Sequence, residues 1–555
     1  MHMKKLHLIL PFALAALLPV SASAQEAAGI DWNRRTAEHL LNRAGFGASP
    51  AEVDAAVARG LAATVDGLFL TADRQVPLIA PERESGKDGM KSEAGERVRD
   101  AGGKDVAPKE LLDDAREQRG MMRRTDRGQL GDYTAWWFDT MIAGEDPLRD
   151  RMTLFWHGYF TSSMQDVKSS YRMIQQNQLL RTGALGSFGD LLFAVAKDPA
   201  MLEYLDNDEN KKGSPNENFA REVMELFTLG EGHYTEDDIK EAARAFTGWR
   251  SKGAEFTSSK RRHDAGEKSV LGVTGRLDGE DVLAILLNDG ACAPYVAGRI
   301  IEYLEGVTPT DARRSHYAGV LSADDFNVEA LLRELFLDPD FYRDEVVGSR
   351  VAGPIDYLVG MSRRMDVMPP RVWLTYGSEL LGQELFFPPN VKGWDEGMAW
   401  ITTASFMQRG NLAGILLGVV DVNDVLSDTE LDVIDELDDM QMEALEEQPK
   451  SKKRGVLARL KKIGKGWSPS LNLAGDMASA GARTPAASVD VLADMLLGVE
   501  LPADTRAFLV GEYTKLQATE RMEVDRPRFG DRRRDEDDLR NLAHLILSLP
   551  EAQLN

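Results

Sequence analysis

The densest run of chemistry-bearing side chains lies between Asp206 and Glu225: Asp-Asn-Asp-Glu-Asn-Lys-Lys-Gly-Ser-Pro-Asn-Glu-Asn-Phe-Ala-Arg-Glu-Val-Met-Glu. Ser214-Pro215-Asn216-Glu217 has the form of a capping box opening a helix. On that helix Asn218, Glu222 and Glu225 share one face at i, i+4 and i+7, and Glu217, Arg221 and Glu225 form an adjacent stripe. Phe219, Val223, Met224 and Phe227 supply the apolar side. Carboxylates at this spacing could bind a cation, serve as acid and base, or pair with arginine. A solvated helix with internal Glu–Arg pairs is the plainer alternative.

The loop ahead of this helix carries a second pattern. Asp206, Asp208, Asn210, Ser214 and Glu217 stand at positions 1, 3, 5, 9 and 12 of a twelve-residue window, the ligand positions of an EF-hand-type loop. This names Asp206, Asp208, Asn210 and Glu217 as candidate ligands for a divalent cation such as calcium. The pattern departs from that loop at position 6, where Lys211 replaces the turn-forming glycine, and at position 8, where Gly213 replaces an apolar residue. The competing reading is a polar helix–helix connection capped by Ser214.

Histidines are sparse: His39, His157, His233, His263, His316 and His544 follow the N-terminal segment. None forms an H-E-x-x-H pair, and no nucleophile elbow, P-loop or dinucleotide fingerprint occurs. His157 sits in Phe155-Trp156-His157-Gly158-Tyr159-Phe160, where a packed core residue competes with a functional one. His263-Asp264 falls in a loop, a more common place for function.

The elements that must position these groups read as helices almost throughout. Ser49-Pro50-Ala51-Glu52 is a capping signature for a helix running to Gly60. Helical periodicity recurs from Lys109 to Leu337, in Val351 to Met365, within Glu379 to Gly418, and in Ala486 to Leu549; only Ala254 to Gly272 suggests a loop or short hairpin. The expected fold is all-α and multi-helical, with no alternation of strands and helices. Residues 25–424 form the expected main domain. A disordered charged insertion is expected at 77–108, a charged linker or helical hairpin at 425–468, and a C-terminal helical segment packed on the main domain at 469–555.

The first 24 residues carry Lys4 and Lys5, an apolar stretch from Leu6 to Val20, and Ala22-Ser23-Ala24 before Gln25, the three parts of a cleavable signal peptide. The expectation is therefore export to the periplasm or outside the cell. No later run is long enough to cross a bilayer; Leu412 to Val420 is the longest. With 66 Lys and Arg against 90 Asp and Glu, the net charge of -24 argues against nucleic acid and anionic lipid as partners. Cys292 is the single cysteine, read as a buried small residue, so no intrachain disulfide can form.

Several motifs, in order, resemble the domain of unknown function 1800 family. They are His39-Leu40-Leu41-Asn42-Arg43-Ala44-Gly45-Phe46-Gly47, Phe155 to Phe160, Leu205-Asp206-Asn207, and Asn216 to Glu222 with Glu225 to Gly230. Further along come Tyr234-Thr235-Glu236, Thr247-Gly248-Trp249, His263 to Lys268, Pro388-Pro389-Asn390-Val391-Lys392-Gly393-Trp394 and Trp400-Ile401. Tyr159 departs from the family's frequent second histidine. The resemblance implies large exported bacterial proteins whose genes often neighbour a sulfatase-like family, domain of unknown function 1501, and so a possible functional partnership with it.

Two functions follow as expectations. One is a hydrolase-type enzyme acting on an envelope or extracellular polymer. Its catalytic candidates are His157, Arg221, Glu222, Glu225, His263 and Asp264, with Glu222 as base or metal ligand, His157 as acid–base partner and Arg221 as anion clamp. The alternative is a non-catalytic envelope protein that binds or positions a partner such as the sulfatase-like neighbour, its polar motifs forming a buried network.

Overall fold

The computed structural model describes residues 29–70, 109–421, 469–522 and 531–555. The first 24 residues, read as a signal peptide, the expected insertion at 77–108 and the expected linker at 425–468 lie outside the described residues. Within them the chain is all-α apart from two antiparallel hairpins. β1 (Trp249–Lys252) pairs with β2 (Glu255–Ser258), and β3 (Lys268–Val270) with β4 (Val273–Gly275). No described helix is long and apolar enough to cross a membrane.

Local signals set many helix starts. Ser49 accepts from the Glu52 amide while Glu52 reaches back to the Ser49 amide at 2.7 Å, so the helix Pro50–Arg59 begins as its capping box dictates. Thr235 and Asp278 open Glu236–Ala245 and Gly279–Asn288 in the same way. Ser214 does not: it pairs with Lys211 in an isolated bridge, and the helix starts only at Asn218. The reason lies in Asn210, whose side chain is buried and whose Oδ1 accepts from the Asn216 amide at 3.1 Å, fixing residues 214–217 as loop.

Two large apolar cores divide the described residues, with a small third cluster of Ala37, Ala48, Val53 and Ala56 at the N-terminal helices. The first gathers side chains from Leu40 to Tyr342, including Phe155, Trp156, Phe188, Phe227, Cys292 and Phe336. The second joins the long helix Lys109–Ala143 to Pro354–Arg364, Arg371–Leu380, Thr403–Leu417 and the C-terminal helices. The segment beyond 469 is therefore built into the second core, through helices 485–496 and 531–547. The main region 25–424 itself contributes to both cores.

Charges are buried where the cores meet. Arg151, on the helix Pro147–Tyr159, donates from Nε to the Gly45 carbonyl at 2.9 Å and from Nη2 to that of Asn42 at 3.2 Å. It also pairs with Asp356, which holds Arg350 at 2.8 Å. Asp356 in addition accepts from the Gly353 amide, closing the first turn of Pro354–Arg364. Burial alone would raise the Asp356 carboxyl; the charges of Arg151 and Arg350 outweigh it and hold it at about 2. Residues 553–555 clasp the same place. The Ala352 amide donates to Gln553 at 2.8 Å and the Asn555 amide to Arg350 at 3.0 Å, while buried Arg409 bridges the Ala352 carbonyl and the Gln553 side chain.

Removing one partner of a buried ion pair leaves the others uncompensated, at about 3–5 kcal/mol. Asp356→Ala should therefore destabilise the protein by about that much. Urea denaturation followed by circular dichroism checks this; a loss under about 1 kcal/mol would show that Arg151 and Arg350 do not depend on it.

Candidate functional site

The helix that carries Glu222 changes type beneath it. Asn218–Glu222 is α-helical and Val223–Leu229 is π-helical. Thr228 Oγ1 donates to the Val223 carbonyl five residues back at 2.7 Å, and the turn ends at Gly230. A helix end leaves carbonyls without intrahelical donors. Here two tyrosines supply them: Tyr159 donates to Phe227 O at 2.9 Å and Tyr295 to Leu226 O at 3.1 Å. The phenol at 159 thus has a structural task that reaches farther than an imidazole would.

Glu222 and Glu225 are both half-buried on this turn. Burial, reinforced by the charge of Glu225, raises the Glu222 carboxyl above its ordinary range; Arg221 and Lys392 oppose the rise. Glu225 is anchored by the Tyr234 hydroxyl at 2.8 Å. π-turns recur at functional sites because they widen the helix and re-aim its side chains.

A groove of about 430 Å³ opens at the seam of the two cores and reaches the electrostatic range of this pair through Lys392, although neither carboxylate lines it. Phe155, Tyr159, Tyr303, Trp394 and Trp400 give it aromatic walls, Arg299 and Lys392 add positive charge, and Arg350 and Asp356 face it from within. Lys392 connects the groove to the carboxyl pair, since its charge acts on Glu222. Arg299 makes a second connection, through Tyr159 and Tyr295. The motif that supplies Lys392 and Trp394 reaches this place by a close backbone approach: a side chain at Gly393 would meet the Gly158 carbonyl at 2.4 Å, and Gly393 has φ +83°.

The other predicted catalytic residues are bound into the fold. His157 is fully buried among Trp137, Phe386 and Trp394. Its Nε2 accepts from the Phe386 amide at 3.1 Å, so the proton sits on Nδ1, and burial lowers its pKa to about 3. Its Nδ1 is shielded without an acceptor, and its Nε2 braces Phe386, at φ 68°, ahead of the Lys392–Trp394 segment. Arg221 holds Glu236 with both terminal nitrogens at 2.9 and 2.8 Å, an ion pair that faces solvent.

His263 and Asp264 build a turn. Asp264 takes Arg244 Nε at 2.9 Å and the Gly266 amide at 2.9 Å, which hold its carboxyl at about 2. His263 Nδ1 lies 3.0 Å from the Thr247 carbonyl. Gly248 at φ +86° admits this crossing, since a side chain there would meet the Ser259 carbonyl at 2.6 Å. Buried Lys268 then ties three carbonyls, those of Asp264, Gly266 and Leu277, at 2.6, 3.1 and 2.7 Å.

The proposed cation loop is not drawn together. Asp206 takes φ 55° and is exposed. Asp208 accepts from the Ser251 amide and hydroxyl at 2.5 and 2.6 Å. Asn210 donates to Asn207 and Ala243 at 3.0 and 2.9 Å, and Glu217 turns toward Arg221 at 3.4 Å. Among the described residues no three His, Cys, Asp or Glu side chains converge as a metal site would need. Asp206, Asp208 and Glu217 instead line a cleft of about 790 Å³ beneath the β1–β2 hairpin.

A family model described as "Protein of unknown function (DUF1800)" matches residues 39–554, and the chain belongs to that family. No curated protein and no solved structure matches the chain.

The neutral histidine gives a pH test. A group whose folded pKa lies below its unfolded one stabilises fully above the unfolded value and progressively less as pH falls. For His157 the loss runs from about 6.5 down toward 3. His157→Phe keeps the volume but removes both the titration and the acceptor for the Phe386 amide. It should cost about 1–3 kcal/mol at pH 7 and give a shallower loss of stability across that window, measured by urea titrations at several pH values. An unchanged pH slope would assign the acid sensitivity to other groups.

Proposed function

We propose that this protein is an exported hydrolase-type enzyme that acts on a hydroxyl-rich polymer of the cell envelope or its surroundings. The observation that carries the reading is the half-buried Glu222 carboxyl, raised by burial and by Glu225, and linked through Lys392 to the groove. A carboxyl that keeps its proton to higher pH suits the protonation of a leaving oxygen, and a second carboxylate nearby suits the activation of water. Glu222 takes the first role and Glu225, held by Tyr234, the second. Trp394 and Trp400 offer faces for sugar-like rings, and Arg299 and Lys392 offer donors for hydroxyl or acidic substituents. Export rests on the residues ahead of Gln25; a mature N-terminus at Gln25 in the periplasmic or culture fraction, read by mass spectrometry, is the expected outcome.

The test is complementation of a deletion strain. Glu222→Gln keeps the size of the side chain and removes its acid function, so it should fail to restore the deletion phenotype while accumulating to the wild-type level. Activity on a released polymer fragment, once found, should fall at least about 100-fold. Full complementation by Glu222→Gln and by Glu225→Gln would sink the enzyme reading. It would instead favour a non-catalytic envelope protein that positions a partner such as the sulfatase-like neighbour. That second reading is supported by the internal bonding of His157, Arg221 and Asp264.

A further inference from the structure

The cleft beneath the β1–β2 hairpin is separate from the groove that Lys392 links to Glu222, and its walls are almost wholly polar. Its volume, about 790 Å³, falls within the range of small-molecule sites. Both signs of charge line it, so what matters is which charges are already answered. Glu203 is paired with Arg172. Asp208 spends both oxygens on Ser251, and Glu217 turns to Arg221. Arg250 and Arg262 are different. Among the described residues neither guanidinium meets a carboxylate; Arg262 donates only to the Asp208 backbone carbonyl at 3.0 Å. The Nε of each is shielded from water yet has no acceptor.

We propose that this cleft binds an oxyanion, the carboxylate, sulfate or phosphate of a hydroxyl-rich ligand, through Arg250 and Arg262. A guanidinium presents a planar fork of donors that matches two oxygens of one such group. Both residues are half-exposed, and the terminal nitrogens of Arg250, which bond to no acceptor among the described residues, are the donors an anion in the cleft would meet. Arg250 is fixed for the task by its place in β1, opposite Thr257 on β2, and Arg262 by its bond to the Asp208 carbonyl. Exposed Asp206 and Glu209 stand at the same cleft. Their repulsion is a cost that the two guanidinium groups must outweigh, together with Lys211 on the same cleft. Ser214 and Asn216 offer neutral polar groups for hydroxyls on the same ligand. The site stands on its own residues and does not depend on any role of Glu222.

Isothermal titration of the full chain at low ionic strength with sodium phosphate, sodium sulfate and sodium glucuronate tests it. Saturable one-to-one binding of at least one anion is expected, weakened at least tenfold in Arg250→Gln/Arg262→Gln and unchanged in the surface variant Arg371→Gln. Tighter binding of glucuronate would identify an acidic sugar as the ligand class, and tighter binding of sulfate or phosphate an esterified one. If the double variant fails to fold by circular dichroism, Arg250→Gln alone carries the test, with Arg250→Lys expected to recover only part of the affinity. Absence of saturable binding to all three anions, or binding undiminished by these substitutions, would overturn the proposal.

Discussion

The pairing of Asp356 with Arg151 and Arg350 is the contact on which the two cores depend. Each guanidinium brings a different part of the chain with it. Arg151 carries the helix Pro147–Tyr159 and, through the carbonyls of Asn42 and Gly45, the end of the N-terminal helix. Arg350 brings the segment that pairs with residues 553–555. Asp356 lies in the first turn of its own helix, where the helix dipole adds to the two cations in favouring a negative charge. An isolated ion pair at this depth would lose more in desolvation than it gains by attraction. Here two cations, a backbone amide and the helix end converge on one carboxylate, and the balance turns, as its strongly acidic pKa records. The groove opens at the same seam, with Arg350 and Asp356 among its lining residues.

The same physics places Glu222 and Glu225. A regular α-helix through residues 218–229 would set Asn218, Glu222 and Glu225 on one stripe. The π-helical stretch from Val223 widens that spacing, and the loosened carbonyls of Leu226 and Phe227 are taken by Tyr295 and Tyr159. Those tyrosines belong to the helices that wall the groove. The acidic turn and the groove are therefore held in register by two hydroxyl groups rather than by apolar contact alone.

Where structure follows from neighbours in the chain, it was legible in the sequence. The capping box at Ser49, the all-α character, the hairpin near Ala254 and the burial of Cys292 each depend on residues within a few positions or on simple polarity. The loop from Asp206 to Glu217 shows the opposite case. Its spacing imitates a cation loop, but Asn210 is drawn inward by Ala243 and Asp208 by Ser251, partners more than thirty residues away. A local pattern carries no record of such competitors. Arg151, Arg350 and Asp356 escaped notice for a related reason: isolated in sequence, each looks like an ordinary surface charge, and only the fold shows that they share one buried point. His157 was found through its aromatic surroundings, and those same rings exclude the water and charge that an acid–base role would need.

A polar motif can therefore mean two things in this fold, and satisfaction separates them. Arg221, Asp264 and Lys268 each have their hydrogen-bonding capacity turned to a carbonyl, an amide or a carboxylate of the chain, and His157 has one ring nitrogen so used while its Nδ1 is shielded without a partner. Altering any of them changes where other groups stand. Glu222 differs from these four, because its carboxyl is partly desolvated without being drawn into a salt bridge or hydrogen bond of that kind. Holding a charge part-way out of water costs free energy, and no described arginine or amide bonds to this one. Lys392 links this carboxyl to the groove that Arg350 and Asp356 line, so the seam's buried charges and this half-buried acid meet through a single lysine.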